Sequence, residues 1–210
     1  MHTICVNSVA VTQILLGRLV VTRTKGKIAM GLFDFFFDGK KRKNVETVPD
    51  HIWMTTDAKF AGLTKEAMER SKAGTMAILL VAHFPDVLAC VEGILETTNW
   101  VVPVKATLAS SLNAEFARSL RIDESGVIDI IVAERHPLPS MDDRLEEFAD
   151  NLPCRCRFSH HLSLEDAVIR VFAGDWISNV LRQLGVSENE AIQSQMVSRR
   201  IRKAQEQIEG

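Results

Sequence analysis

Two cysteines and two histidines lie close together in the segment CRCRFSHH. Thiolate and imidazole are the usual protein ligands of zinc, and alternation along a strand would place Cys154, Cys156 and His160 on one face. The Cys-x-Cys spacing is atypical of structural zinc sites, and no partner that would orient the ligands can be identified. We therefore expect no metal and keep a zinc-dependent binding module as an alternative. Arg155 and Arg157 alternate with these residues and are expected to form a solvated edge.

Nucleotide binding through a phosphate loop is not indicated by the sequence. The pattern G-x-x-x-x-G-K-[ST] does not occur, and Gly39 with Lys40 lacks both the earlier glycine and a preceding strand. Backbone amides cradle phosphates at the start of a helix only when such a loop presents them. We expect no cofactor.

An aromatic cluster is followed directly by a basic cluster near the N-terminus. This order is typical of a contact with an anionic membrane surface, where each basic residue contributes about 1 kcal/mol. One short segment anchors only weakly, so a leader whose aromatics pack on the domain is the alternative. The residues concerned are Phe33, Phe35, Phe36, Phe37, Lys40, Lys41, Arg42 and Lys43.

The first thirty residues resemble neither a membrane span nor a secretory signal. The apolar stretch from Val6 to Val21 is interrupted by polar residues, whereas a span needs roughly twenty mostly apolar residues. A positive start and a small-residue cleavage site are also missing. Translation can begin at Met1 or at Met30. We expect a cytoplasmic protein with at most a weak peripheral contact at the inner face of the membrane.

The composition sets broad bounds on the class of protein. A chain of 210 residues with a net charge of −2 fits one domain with appended helices, and it has no overall basic footprint for nucleic acid. Its 4 cysteines form no disulfide framework, which favours reduced thiols.

The body of the chain alternates short apolar runs with helical patterns, which predicts strand and helix units around a parallel sheet. The continuous apolar run Val127–Ala133 is typical of the strand at the sheet's centre. The other predicted strands are Met76–Ala82, Trp100–Lys105 and Cys154–Phe158. Helices are predicted from Pro85 onward and at Leu112–Leu120, Met141–Ala149, Leu164–Phe172 (capped by Ser163 and Asp166), Asp175–Leu184 (ended by Gly185) and Gln195–Ile208.

The last fifty residues have the motif order of a known family. A Leu-Ser-Leu-Glu-Asp turn at Leu162–Asp166 leads through helices to Met-Val-Ser-Arg at Met196–Arg199 and to Ala-Gln at Ala204–Gln205. This run resembles the end of the second ATPase half of SecA, the bacterial preprotein translocase motor. Upstream, Ala58–Phe60 and the strand Met76–Ala82 resemble the start of the same half. The resemblance covers chiefly His51–Glu96 and Ile130–Gly210.

The resemblance implies an α/β fold: a RecA-like parallel sheet of the P-loop NTPase type, flanked by helices, with a C-terminal helical extension. It divides the chain into an N-terminal extension at 1–48, a degenerate RecA-like domain at 49–174, and helices at 175–210 that resemble the start of the SecA scaffold.

In the resembling motor, the second half supplies arginines that stabilise charge on the transferred phosphoryl group. Glu134, Arg135 and His136 match the strand end that precedes those arginines, and we expect them to be an ion-paired strand end. The arginine positions themselves are occupied here by Glu146, Phe148 and Asn151. A carboxylate facing a triphosphate repels it, so these six positions are interpreted as vestigial.

The C-terminal helix corresponds to the start of the motor's long scaffold helix. Without the rest of that scaffold, its apolar face must either fold back on its own sheet or bind another protein. The candidates for partner binding are Met196, Val197, Arg199, Arg200, Ile201 and Arg202.

Together these observations predict a SecA-like accessory or regulatory protein without its own ATPase activity. It would act through a protein partner, such as a translocation component, and not through nucleic acid. One alternative is a half-motor that completes an ATPase site in trans with another chain, and the other is the zinc-dependent module.

Overall fold

Seven strands form one sheet in the computed structural model, which describes residues 44–173, 179, 182–183, 185 and 187–209. The strands are β1 (Val45–Thr47), β2 (His51–Trp53), β3 (Ala77–Ala82), β4 (Val104–Leu108), β5 (Val127–Val132), β6 (Arg155–Ser163) and β7 (Ile192–Gln193). The helices are α1 (Thr56–Ser71), α2 (Pro85–Thr97), α3 (Ala114–Ser119), α4 (Pro139–Asp150), α5 (Ala167–Ala173) and α6 (Gln195–Glu209), with a 3₁₀ turn at Ala109–Ser111.

The strand order is β4-β3-β5-β6-β2-β7, and β1 pairs with the first part of β6. All pairs are parallel except β2 with β7. β5 lies between β3 and β6, which confirms its predicted inner position. Because β6 is long, β1 and β2 lie one after the other along its outer edge.

Helices cover both faces of the sheet, as strand alternation requires. Leu79 and Val81 of β3 pack on one face together with Leu145 of α4. Ile78 and Leu80 pack on the other face, where α1 and α2 lie. The predicted α/β, RecA-like arrangement of a mostly parallel sheet between helices is therefore confirmed.

Some predicted strands and helices begin or end at other residues in the structure. The predicted strand Trp100–Lys105 begins only at Val104, because Pro103 has no N–H to donate to the ladder. The fourth predicted strand continues to Ser163 instead of ending at Phe158. The strands β1, β2 and β7 were not predicted, since each has only two or three residues.

The helix predicted from Leu164 begins at Ala167, because Ser163 still belongs to β6 and a turn follows it. The predicted capping pair nevertheless forms. The Ser163 backbone N–H donates to Asp166 Oδ2 at 2.8 Å, and the Ser163 hydroxyl lies 2.9 Å from Asp166 Oδ1. The two side chains therefore cap the turn that precedes α5.

Asp129 interrupts the apolar run of β5 and is fully buried. Arg157 donates to its carboxylate from Nε at 2.8 Å and from Nη2 at 2.6 Å, and Arg70 of α1 donates at 2.5 Å. The expectation that Arg157 forms a solvated edge is therefore wrong: its guanidinium neutralises a buried carboxylate. Arg155 is exposed.

Helix α6 folds back on the sheet. Ile201 is fully buried and packs with Ile52, Leu162 and Ile169, while Val197 lies half-buried beside them. The predicted helix Gln195–Ile208 is thus confirmed, and its apolar face packs inside this chain.

Several predictions concern residues outside the described part of the chain. These include the stretch from Val6 to Val21, the aromatic and basic segment, and most of the helix Asp175–Leu184. Gly185 itself has φ 74° and donates to the Arg182 carbonyl at 3.0 Å, as a helix-ending glycine does. Across the described residues, no helix combines the length and apolarity needed to cross a membrane.

Candidate functional site

The site is built at the carboxyl ends of the parallel strands, where α/β proteins commonly place ligands. Glu134, Arg135 and His136 follow β5 directly, as predicted. Side chains from β6, α4, α6 and two loops converge on them. We call this group the strand-end cluster: Asp50, His83, Glu134, Arg135, His136, Asp142, His160 and Gln205.

Arg135 is held by two buried carboxylates. Its Nε and Nη2 donate to both oxygens of Asp50, at 3.1 and 2.8 Å, and its Nη1 donates to Asp142 Oδ2 at 3.1 Å. Asp50 is 1% exposed, Asp142 0% and Arg135 9%. Burial alone would lower the pKa of Arg135, but the two aspartates raise it above its usual value. The guanidinium is permanently charged, and each of its three nitrogens donates to a carboxylate of its own chain.

Asp142 is the acidic centre of the cluster. Besides Arg135, it accepts from the His136 backbone N–H at 3.0 Å and lies 2.9 Å from Nε2 of His83. Burial works to raise its pKa, and His83 and Arg135 together hold the pKa below its usual range. The carboxylate is therefore charged at neutral pH and shared among several neighbours.

Glu134 stabilises the start of α2 instead of facing solvent. Its Oε1 accepts from the backbone N–H groups of His83 and Phe84 at 2.9 and 3.1 Å. Burial nevertheless raises the pKa of Glu134, an effect that these two hydrogen bonds and the nearby Lys59 only partly offset. The side chain thus acts as a cap for the loop after β3.

The cluster is closed by α6. Gln205 is fully buried, and its Nε2 donates to the His136 carbonyl at 2.5 Å and to Asp142 Oδ2 at 2.7 Å. Ser198 Oγ accepts from the Asp50 backbone N–H at 3.0 Å. Gln205 belongs to the Ala-Gln motif of the tail, so this motif contacts the strand end directly.

Arg202 ties the same helix to α4. Its Nη1 and Nη2 donate to the two oxygens of Asp143 at 2.8 and 2.7 Å. Of the residues proposed to bind a partner, Val197, Ile201 and Arg202 therefore contact their own chain. Met196, Arg199 and Arg200 are exposed on α6.

Of the positions where the resemblance places the motor's arginines, Phe148 and Asn151 lie away from the cluster. Asp142 lies near the start of α4 and Asn151 caps its end, about 14 Å further along at 1.5 Å per residue. Phe148 contacts the ring edge of Phe116 at 6.3 Å between centroids and packs on the core, while Glu146 is half-buried. Phe148 and Asn151 instead line a groove between α3 and α4, called the α3–α4 groove.

The cysteines and His160 do not converge on a common point. Cys156 and His160 are four residues apart on one strand, which separates them by about 13 Å, whereas zinc ligands lie within about 4 Å of one another. Cys154 and Cys156 are buried in the apolar core, and burial raises the pKa of both thiols. The zinc hypothesis for this trio is therefore wrong: the residues share a strand face but not a place along it.

Within the described residues, one set of three side chains that can ligate a metal does come together: His51, Glu66 and His161. The His161 and Glu66 atoms Nε2 and Oε2 are 2.6 Å apart, and the two imidazole rings stack at 4.6 Å with an angle of 6°. Trp53 Nε1 donates to His161 Nδ1 at 3.1 Å, which leaves the ring proton on Nε2, where it donates to Glu66.

This set does not fit a metal ion. The proton on His161 Nε2 occupies the position that a metal would need, and parallel stacked rings cannot both aim a lone pair at one ion. Arg70 also pairs with Glu66. Burial works to raise the pKa of Glu66, but His161 and Arg70 bring it down to about 2. The set is a buried hydrogen-bond network.

Sequence reasoning missed most of the residues that surround Arg135. Asp50, His83 and Gln205 come from three distant segments, so no local spacing links them. Asp142 was the exception that could have been found, since it opens a helix seven residues after Arg135 in the chain.

Comparison with known proteins gives a consistent set of relatives, although no family model matches the chain. Protein translocase subunit SecA of Pseudomonas fluorescens (strain Pf0-1) is 32% identical over 154 residues, which are 70% of this chain and 17% of that protein. The SecA of Koribacter versatilis (strain Ellin345) is 41% identical over 91 residues, 42% of this chain and 9% of that protein. The SecA of Rickettsia akari (strain Hartford) is 30% identical over 178 residues, 80% of this chain and 19% of that protein.

The chain therefore spans less than a fifth of each of these relatives. The Pseudomonas and Rickettsia relatives match 70% and 80% of this chain, and all three relatives are SecA proteins. The chain is thus a SecA-like protein, related to protein translocase subunit SecA.

Proposed function

We propose that this protein is an accessory or regulatory SecA-like protein that has no ATPase activity of its own and acts through protein–protein interaction in protein translocation. The proposal depends on one observation, namely that Arg135 is buried and ion-paired within its own chain. Its guanidinium lies between Asp50 and Asp142 and beneath α6. A nucleotide phosphate would have to displace two buried carboxylates to reach it, at a large electrostatic cost.

The replaced arginine positions support the same proposal. Glu146, Phe148 and Asn151 offer a carboxylate, an aromatic ring and an amide where the related motor has guanidinium groups. Transition-state stabilisation of phosphoryl transfer depends on positive charge at such positions. The scaffold is kept while the groups that would act on phosphate are exchanged.

The relatives supply the context of translocation. Each is named as a protein translocase subunit. We propose that this chain meets the same machinery from the cytoplasmic side, with the exposed residues Met196, Arg199 and Arg200 of α6 as further candidate contacts. The division into an extension at 1–48, a RecA-like domain at 49–174 and scaffold-like helices at 175–210 is part of this proposal.

The first test measures ATP turnover by the purified full chain with Mg²⁺, alone and together with the full-length SecA of the same cell. We expect no turnover by the chain alone, direct binding to the SecA subunit or its membrane channel, and a change in the turnover of that SecA. Turnover by the chain alone, or no binding to either component, would overturn the proposal.

The half-motor alternative is tested in the same assay. A separately produced first ATPase half of SecA is added to the chain, and turnover is measured again. Stimulated turnover would replace the accessory role with a site completed in trans. We expect none, because the groups that would face the phosphates are paired within the chain.

Point substitutions are preferable to removal of the C-terminal helix in these experiments. Ile201 and Gln205 are fully buried, so a chain without α6 would expose its core and the strand-end cluster. Loss of binding by such a chain would report unfolding and not the loss of a contact.

A further inference from the structure

The α3–α4 groove has a volume of about 570 Å³, which falls within the range of about 300–1,000 Å³ typical of binding pockets. Its inner surface is apolar, and its two walls are helices. The apolar lining comes from Leu112, Ala117, Ile122, Phe148 and Pro153. This surface lies on the sheet face opposite to α1 and α2.

Arginines surround this apolar surface. Arg118, Arg121 and Arg144 all line the groove and are exposed, and Glu147 is the acidic residue among its lining groups. In the part of the chain that the structure describes, none of these three guanidiniums is ion-paired; Arg144 has only a 3.7 Å contact to the Met141 sulfur. The groove therefore has a local charge of +2 on a protein whose net charge is −2.

Arg121 occupies its place at a conformational cost. Its φ is 50°, the left-handed region that favours glycine, and it is the only non-glycine residue of the described chain with positive φ. A glycine or asparagine at this turn would be less strained. The strained turn places a third arginine at the groove.

We propose that the α3–α4 groove binds an acidic amphipathic helix of a partner protein. Apolar side chains at helical spacing of such a partner cover the floor, and carboxylates on its flanks pair with Arg118, Arg121 and Arg144. A helix is the fitting shape because the groove lies between two helices and offers no free strand edge. This inference rests on the proposed function, since it assigns a surface and a chemistry to the protein partner.

A nucleotide or a single-stranded nucleic acid fits the groove less well. Phosphates would use the arginines but leave the floor of Leu112, Ile122 and Pro153 uncovered. Binding of single strands also relies on exposed aromatic rings for base stacking, whereas Phe148 is half-buried against Phe116. Only a ligand that is both apolar and acidic satisfies the whole surface.

The test measures fluorescence anisotropy of a labelled helical peptide of about 18 residues with leucines on one face and glutamates on its flanks. Three comparison peptides have the same composition scrambled, lysine for glutamate, or serine for leucine. We expect the full chain to bind the first peptide about tenfold more tightly than any of the others, with binding weakened by salt.

The matched variants are the double variant Arg118→Glu with Arg144→Glu and the single variant Lys65→Glu. Lys65 is an exposed cation on α1, on the opposite face of the sheet. We expect the double variant to lose peptide binding by at least about tenfold and the Lys65 variant to bind as the parent does. The far-ultraviolet circular dichroism of all three should be the same.

Three outcomes would overturn the inference: no binding of the acidic amphipathic peptide, equal binding of polyglutamate or of a single-stranded oligonucleotide, or unchanged binding by the double variant. The proposed function is tested by a separate measurement, the binding of the chain to SecA or to its membrane channel. If the double variant still binds those components, the groove assignment fails and the function stands. If the peptide binds and those components do not, the function fails and the groove stands.

Discussion

The strand-end cluster and the α3–α4 groove both contain arginines, but the two regions use them in opposite ways. Arg135 is buried and paired with two aspartates of its own chain. Arg118, Arg121 and Arg144 are exposed beside an apolar floor. A buried ion pair is costly to break because one charge is then left alone in the interior, whereas exposed charge beside apolar surface is available to a partner. This difference is the basis on which we propose recognition at the groove and assign an architectural role to the strand end.

Removal of Arg135 should have the largest effect on stability. Arg135→Ala leaves Asp50 and Asp142 buried without their cation, and we expect the free energy of unfolding to fall by about 3–5 kcal/mol. Urea unfolding followed by circular dichroism measures it. Arg118→Ala, in the groove, is the matched control and should cost less than about 0.5 kcal/mol. Equal costs for the two variants would remove the distinction between the regions.

Acid should destabilise the protein through its buried histidines. Burial and the charge of Arg135 hold the pKa of His160 at about 3, and burial also lowers the pKa of His161. Below about pH 6.5 the histidines of the unfolded chain bind protons that the folded chain excludes. The free energy of unfolding is therefore unaffected by these histidines above pH 6.5 and falls as the pH is lowered. At pH 5 the exclusion of the proton from His160 should cost about 2 kcal/mol, and His161 should add a cost of the same sign.

Unfolding curves at a series of pH values check this expectation. His160→Gln should reduce the average slope of stability against pH between 7 and 5 by about 1 kcal/mol per pH unit, with the largest reduction near pH 5. A variant with the parent's slope would show that His160 already carries its proton in the folded chain at these pH values.

The closure of the cluster by α6 depends on Gln205. Gln205→Ala removes the two hydrogen bonds from its Nε2 and leaves the His136 carbonyl and Asp142 with fewer donors. We expect a loss of about 1.5 kcal/mol in the free energy of unfolding. Gln207→Ala, an exposed position of the same helix, should change it little. A similar loss in both variants would reflect helix propensity and not the buried contacts.

The smallest expected effect is a gain in the free energy of unfolding. Arg121→Gly relieves the strain of a side chain at φ 50°, and after the extra entropy of glycine in the unfolded chain we expect a net stabilisation of about 0.5 kcal/mol. The same variant should bind the acidic amphipathic peptide more weakly. A variant that is more stable and binds equally well would mean that Arg121 takes no part in the groove.

Much of the fold could be predicted from local sequence. The apolar run from Val127 to Val132 and the pattern after Pro85 describe a central strand and a helix, because burial on a sheet and amphipathic periodicity are local properties. The start of the strand Trp100–Lys105 was misplaced, since the missing N–H of Pro103 matters only where a neighbouring strand would accept it. The two-residue strand β7 has too little sequence for a pattern.

The candidate site could be predicted only in part. Glu134, Arg135 and His136 were placed correctly at a strand end. The exchange of three arginines was inferred from the resemblance to SecA and stays a prediction. The zinc alternative rested on strand alternation, which gives the face of a residue but not its distance along the strand.

The sequence by itself determined the strand and helix units of the core and the relationship to SecA, and it predicted an exchange of the motor's arginines. Only the tertiary structure decided that Asp50, Asp142 and Gln205 close around Arg135, and that Arg118, Arg121 and Arg144 border one groove. The physical reason is that neutralisation of a charge depends on which side chains lie within a few ångströms of it. Those neighbours come from segments far apart in the chain, and their proximity is created by the sheet and by the return of α6.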